Sequence, residues 1–144
     1  MDPEEHFRRL ERMYAAAPIN RYYAPVLRIS EAKAELTIPI KPDFFHAAGA
    51  VHGSVYFKAL DDSAFFAANS LVFDVFMLTA SFNVYLTRPV SEGELRATGS
   101  VVHRSRNLVL ADSVVFDSMG REIGRGSGAF MRSAIPLSAE MGYA

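Results

Sequence analysis

Two adjacent carboxylates, Asp61 and Asp62, stand in the middle of the most apolar stretch of the chain, Gly53 to Ser70. Carboxylates are rarely buried without a partner, because desolvating an unpaired charge costs several kcal/mol. Two accounts of the pair compete. In the first, one or both pair with Lys58 at helical i+3 or i+4 spacing and face water. In the second, one lines a cleft as a general base or nucleophile, its pKa raised by burial. Adjacent helical residues point about 100° apart, so the two do not share one role. The pattern alone leaves both accounts open.

His52-Gly53 immediately precedes this stretch. The first N–H groups of a helix have no internal partner, and the macrodipole adds partial positive charge there. A glycine at the entry lets another molecule approach those donors, which suits an anion or an oxyanion formed during attack on a carbonyl. The bland alternative for His52 is a capping histidine bonded to backbone. His46, six residues earlier, reads on its own as a solvated loop residue. The four histidines, His6, His46, His52 and His103, show no metal-ligand spacing, so no zinc site is expected. Gly-x-Ser-x-Gly, Walker and Rossmann patterns are absent, so no cofactor is expected either. Arg88, Arg104 and Arg106 lie near turns, where they suit either strand-end solubility or contact with phosphates of a bulky ligand.

The elements that must position these residues are legible from periodicity. Asp2-Pro3 with Glu5 reads as a helix start, and Phe7, Leu10 and Tyr14 carry an amphipathic helix over residues 2–16. Val26 to Ile40 alternates around a turn at Glu31-Ala32-Lys33, as a hairpin does. Lys41 to Val51 has no period and reads as a loop. Gly53 to Ser70 is apolar on nearly every side, so it is expected to be a central helix enclosed by protein. Four alternating segments follow: Phe76–Thr87, Glu94–Arg104, Leu108–Asp117 and Glu122–Arg132. They are expected to form an antiparallel meander. In the first, Ala80, Phe82, Val84 and Leu86 fall opposite Thr79, Ser81, Asn83 and Tyr85. Gly124, Gly126 and Gly128 share one face of the last, so something approaches its backbone closely. A packed helix is favoured over a ligand in that place. The tail after about residue 136 is expected to be loosely ordered.

Composition bounds the rest. The 144 residues suit one domain, 1–144, with 50% hydrophobic residues and a formal net charge of −1. That balance implies no nucleic acid and no anionic membrane as partner. Cysteine is absent, which excludes disulfides and thiol nucleophiles and fits a reducing compartment. The charged start reads as no signal peptide, and no run of about 20 apolar residues is present. A cytoplasmic protein is expected.

The run His46-Ala47-Ala48-Gly49-Ala50-Val51-His52-Gly53-Ser54, followed by Asp61, resembles the PaaI-type branch of the hot-dog acyl-CoA thioesterases. That family carries Asn-x-x-Gly-x-x-His-Gly-Gly and then a helix with a catalytic aspartate nine positions after the histidine. Asn69-Ser70 and Asn83 to Pro89 are also similar to the family, so the likeness runs from about Pro42 to Phe130. The resemblance implies an α+β hot-dog fold, with a long central helix wrapped by a curved antiparallel sheet. It implies hydrolysis of a small or aromatic acyl-CoA by a homodimer or homotetramer. Asp61 would activate water or attack the thioester. The Gly53 N–H would polarise the carbonyl, His52 would shape the loop, and Thr79 would hold the attacking water. Asp61 and Gly53 of one site would come from different subunits.

Two departures stand out. His46 replaces the family's asparagine, which would make activity depend on the imidazole's charge, and Ser54 replaces the second glycine. There is also a tension: Thr79 lies opposite Ala80 and Phe82, so reaching Asp61 needs a bulge or a shared interface. The alternatives are a non-catalytic acyl-CoA binding protein and a hot-dog dehydratase that would use His46 with Asp61.

Overall fold

The computed structural model describes all 144 residues, Met1–Ala144. Its helices are α1 (Pro3–Ala16), α2 (Asn20–Tyr23) and α3 (Gly53–Asn69). The strands are β1 (Val26–Ser30), β2 (Lys33–Pro39), β3 (Val75–Leu86), β4 (Glu94–Arg104), β5 (Leu108–Phe116) and β6 (Glu122–Pro136). The six strands form one antiparallel sheet in the order β1-β2-β4-β5-β6-β3. The sheet packs against α3.

The expected meander holds only for β4-β5-β6. Strand β3 does not pair with β4; it runs along the far edge against β6, and β4 pairs with β2 instead. Side-chain volume explains the choice. The ring of Phe82 on β3 lies over the inward face of β6, where a Cβ at Gly126 or Gly128 would collide with it. The glycine row therefore admits neither a ligand nor chiefly the helix. It admits a phenyl ring from the neighbouring strand, and α3 approaches only at Gly124, through Tyr56.

The enclosure of α3 is incomplete. Val55, Ala59, Leu60, Ala64, Phe66 and Ala67 are buried against the sheet and α1. Phe57 is 41% exposed, and Lys58, Asp61 and Asp62 are half-buried on the same strip. A charged residue can stay on such a helix only along the side that the sheet does not cover.

Helix α1 is held by an edge it satisfies. β1 ends the sheet, so its backbone groups lack a strand partner. Glu11 accepts from the Ile29 N–H at 2.7 Å, and Arg8 donates to the Ile29 carbonyl at 2.6 Å. Phe7, Leu10 and Met13 then turn into the core.

The chain after Pro136 is packed rather than loose. Tyr143 is buried, and its hydroxyl lies 2.7 Å from His6 Nδ1. His6 Nε2 lies 2.9 Å from the Asn69 carbonyl, which accepts only, so Nε2 carries the proton and Nδ1 accepts from Tyr143. A buried aromatic with a polar tip finds a place in the core that eight residues of loose tail would not suggest. Burial holds the His6 pKa below the usual imidazole range, opposed by the bond to Asn69. As pH falls through about 6.5 the unfolded chain takes up this proton first, so the contribution of neutral His6 to stability is complete above that pH and lost below it. Tyr143→Phe strands the Nδ1 acceptor, and denaturant titration at neutral pH is expected to show a loss of about 1–2 kcal/mol.

Candidate active site

Asp61 and Asp62 take separate paths although they are neighbours. Asp62 Oδ2 accepts from Lys58 Nζ at 2.7 Å and from the Tyr14 hydroxyl at 2.6 Å. Lys58 also lies over the rings of Tyr14 and Tyr23. Asp62 is thus the structural half of the pair, tying α3 to α1. Burial, and then the charge of Asp62, push the Tyr14 phenol well above its usual range, so it remains a donor.

Asp61 has no cation bonded to it. Its Oδ1 accepts from Thr79 Oγ1 at 2.9 Å. Burial first, and then the neighbouring Asp62, raise its pKa from 3.8 to about 6, against the bond from Thr79 and the charge of Lys58. A carboxylate poised near neutrality and able to accept another proton suits general-base work.

Thr79 reaches Asp61 because β3 carries a bulge. The pairing passes from Thr79↔Phe130 to Ser81↔Ala129, leaving Ala80 without an opposite number. An extra residue flips the alternation. Thr79 and Phe82, three positions apart, therefore both face α3, while Ala80 is exposed and does not pack with Phe82. The same strand that covers the glycine row thus serves Asp61.

The two aspartates open onto a cavity of about 290 Å³ between α3, β3 and the α1–α2 corner. Met13, Phe65, Phe66, Phe76 and Leu78 give it an apolar wall. Sequence reasoning counted Tyr14 as one more apolar position of α1 and did not find its role beside Asp62. The only signal was a tyrosine where a phenylalanine would have packed as well.

His52 is the N-cap of α3, with extended backbone (φ −63°, ψ 145°) and Nδ1 accepting from the Ser54 N–H at 3.0 Å. Gly53 is the first helical residue, so its N–H has no partner within the helix. His46 is exposed, and its Nδ1 accepts from the Ala48 N–H at 3.0 Å. Within one chain this loop and Asp61 do not meet. Eight residues of helix separate Gly53 from Asp61, about 12 Å along the axis.

The arginines divide in the same way. Arg88 follows β3 beside the Gly53 end of α3, where its carbonyl accepts from Tyr56 at 2.7 Å. Arg104 and Arg106 line a cleft of about 500 Å³ with Arg132 at the opposite end of that helix, near Leu71 and Val72. No group of three or more His, Cys, Asp or Glu side chains is gathered as a metal site would need. No helix is long and apolar enough to cross a membrane.

Comparison with known proteins agrees with this architecture. The structure of the E. coli PaaI protein, from the phenylacetic acid degradation operon, superposes with a TM-score of 0.85 at 17% identity, covering 94% of this chain and 99% of that one. A phenylacetic acid degradation-related protein from Ralstonia eutropha gives 0.77 at 21% identity, covering 88% and 98%. A thioesterase from Haemophilus influenzae gives 0.76 at 14% identity, covering 83% and 85%. At these identities the likeness establishes the PaaI-like hot-dog fold. The family model described as Thioesterase superfamily matches residues 48–123, just over half the chain and the part that holds His52-Gly53, α3 and Asp61. The chain belongs to the Thioesterase superfamily and is a thioester hydrolase of the hot-dog fold.

Proposed function

We propose that the protein hydrolyses small or aromatic acyl-CoA thioesters, with Asp61 as general base and the Gly53 N–H as oxyanion donor. The observation that carries this reading is Asp61 itself: a half-buried carboxylate without a bonded cation, held by Thr79 on the wall of an apolar cavity. Its pKa near 6 leaves it ionised at neutral pH yet basic enough to accept a proton. With Oδ1 engaged by Thr79, Oδ2 is free to orient a water. That water adds to the thioester carbon as its proton passes to Asp61, and the carbonyl oxygen becomes an oxyanion facing the Gly53 N–H. When the C–S bond breaks, the proton returns to the departing thiolate, giving a carboxylic acid and free CoA.

Because Gly53 and Asp61 of one chain stand about 12 Å apart along α3, a single carbonyl cannot meet both. The reading therefore requires two copies of the chain, with the loop of one facing the helix of the other. Strand β3 supports this. It is a 12-residue edge strand that exposes Leu78, Tyr85 and Leu86 and leaves one row of backbone groups unpaired, which invites association with a second copy. Arg88, at the Gly53 end, and the Arg104–Arg106 cleft are the two basic places available to CoA phosphates.

Three outcomes check the reading. Asp61→Asn is expected to lower turnover of phenylacetyl-, benzoyl- and medium-chain acyl-CoA by at least about a hundredfold, read as free thiol release. The same variant is expected to be more stable at pH 7 by roughly 1–3 kcal/mol. The folded state holds the Asp61 proton more tightly than the unfolded chain, so ionisation above pH 4 costs stability that asparagine does not lose. Unchanged turnover in this variant would sink the mechanism. In the wild type, kcat/KM is expected to rise with pH through an inflection near 6 and then level as Asp61 ionises; a flat profile from pH 5 to 8 counts against Asp61 as base.

Gly53→Pro removes the N–H in question at a position where the backbone accepts proline, since proline is tolerated at the first helical position and the extended backbone of His52 suits a following proline; its Cβ would come within 2.8 Å of Leu86 Cδ1, the far end of a flexible side chain that has to move aside. The variant is expected to fold and to lose about 10²–10³ in kcat. Co-expressed with Asp61→Asn, the two dead chains are expected to recover about a quarter of wild-type activity in mixed dimers, each with one intact site. No recovery would place both groups in one subunit and refute the shared site.

A further inference from the structure

We propose that Lys58, Asp62 and Tyr14 are positioning residues for Asp61: together they lock the one cation of the cavity onto the acid that does no chemistry, so that the other acid keeps an oxygen free for water. This rests on the reading of Asp61 as the hydrolytic base. Lys58 stands three residues before Asp61 and four before Asp62, and both spacings bring side chains together on a helix. The helix alone therefore offers the ammonium a choice of two carboxylates. It takes Asp62, at 2.7 Å from Oδ2.

Two elements outside α3 make that choice. From α1, the Tyr14 hydroxyl donates to the same Oδ2 at 2.6 Å. Lys58 Nζ lies 5.2 Å from the centre of the Tyr14 ring and 4.9 Å from that of Tyr23 on α2, and such ring faces attract an ammonium. The rings draw Lys58 toward α1 and α2, the side of Asp62, whereas Asp61 meets Thr79 on β3. With side chains only 13% and 18% accessible, Lys58 and Asp62 are screened less by solvent than an exposed pair.

The opposite choice would disable the base. Asp61 Oδ1 already accepts from Thr79. An ammonium on Oδ2 would occupy the oxygen that has to orient water, and an ion-paired carboxylate is also a weaker base. No second cation lines the cavity. The ionisable groups that face Asp61 are Lys58 and Asp62 on its own helix and Tyr14 on α1, with Tyr23 on α2 behind Lys58; β3 brings only the neutral Thr79. Burial first raises the Asp61 carboxyl to about 6 and the charge of Asp62 adds to this, while Thr79 and then Lys58 oppose it. Held on Asp62, Lys58 is the smallest of these influences.

The experiment reads two quantities: the pH profile of kcat/KM and, independently of turnover, the carboxyl ¹³C titration of Asp61 in labelled protein, its signal assigned with Asp61→Asn. Asp62→Asn keeps the shape of the side chain and its bond from Tyr14, removes the neighbouring charge and frees Lys58 to turn to Asp61. Both readings are expected to move down by about one pH unit. Lys58→Met leaves Asp62 without its counter-ion, and both are expected to move up by about as much. The double variant loses both charges and is expected to return close to the wild type.

A clamp that only ties α1 to α3 would lower the plateau in all three variants and leave the inflection in place. That result overturns the proposal, as do single variants that move in the same direction. Asp62→Asn decides the case alone if Lys58→Met does not fold, because an unmoved Asp61 titration in it is enough to overturn the proposal. Opposite shifts of the titration in protein that releases no thiol from any acyl-CoA uphold the network and refute hydrolysis. Turnover whose inflection stays near 6 in both single variants does the reverse.

Discussion

A 17-residue helix with almost no polar face has to be enclosed, and the rest of the molecule is arranged around α3 on that account. The sheet supplies the enclosure from Leu36, Ile38, Leu95, Ala97, Val115 and Ile123, all of them buried. Its closest approach is at Gly99 on β4, where any Cβ would run into the Ser63 carbonyl. Backbone lies directly on backbone there, so α3 cannot rotate about its axis without a clash. Which strip of the helix stays uncovered is settled by that contact, and the strip carries Phe57, Lys58, Asp61 and Asp62.

On that strip two carboxylates would repel each other in a medium of reduced dielectric. The conflict is resolved unequally. Lys58 and Tyr14 neutralise and satisfy Asp62, which lets the helix hold a charge there and fastens α1 across the cavity. Asp61 receives only a neutral hydroxyl, and the charge of Asp62 remains near enough to keep its pKa high. One acid therefore serves packing and in doing so prepares the other for proton transfer. The division depends on α1, since Tyr14 reaches Asp62 only while Arg8 and Glu11 hold that helix to the edge of β1.

Much of this was readable before any coordinates. Period and composition located α1, α3, the β1–β2 hairpin and the four later strands, because each is long enough for its alternation to show. The carboxylate pair drew notice because charge is out of place in an apolar run, but the pattern could not say which aspartate would meet Lys58. That depends on the angle at which α3 settles on Gly99. The meander expectation failed at β3 because strand order is decided between distant segments: Phe82 needs a strand without side chains beside it, and only β6 offers one. The tail was misjudged for a like reason. Tyr143 looks like one aromatic among small and polar residues until His6, far away in sequence, is placed to receive its proton.

The bulge at Ala80 governs which changes of chain length β3 can absorb. Thr79 before it and Phe82 after it, three positions apart, both face inward because one residue is surplus to the ladder. Deleting Ala80 would leave Thr79 and Phe82 two positions apart in a regular pleat, opposite the same partners Phe130 and Gly128 and both still facing inward. Losing a residue on either side of the pair would instead shift one flank of the strand against β6 by a position and turn its side chains to the other face. Drift in this strand should therefore proceed by replacement at exposed Ala80 or by loss of that one surplus residue, with the length of both flanks held constant.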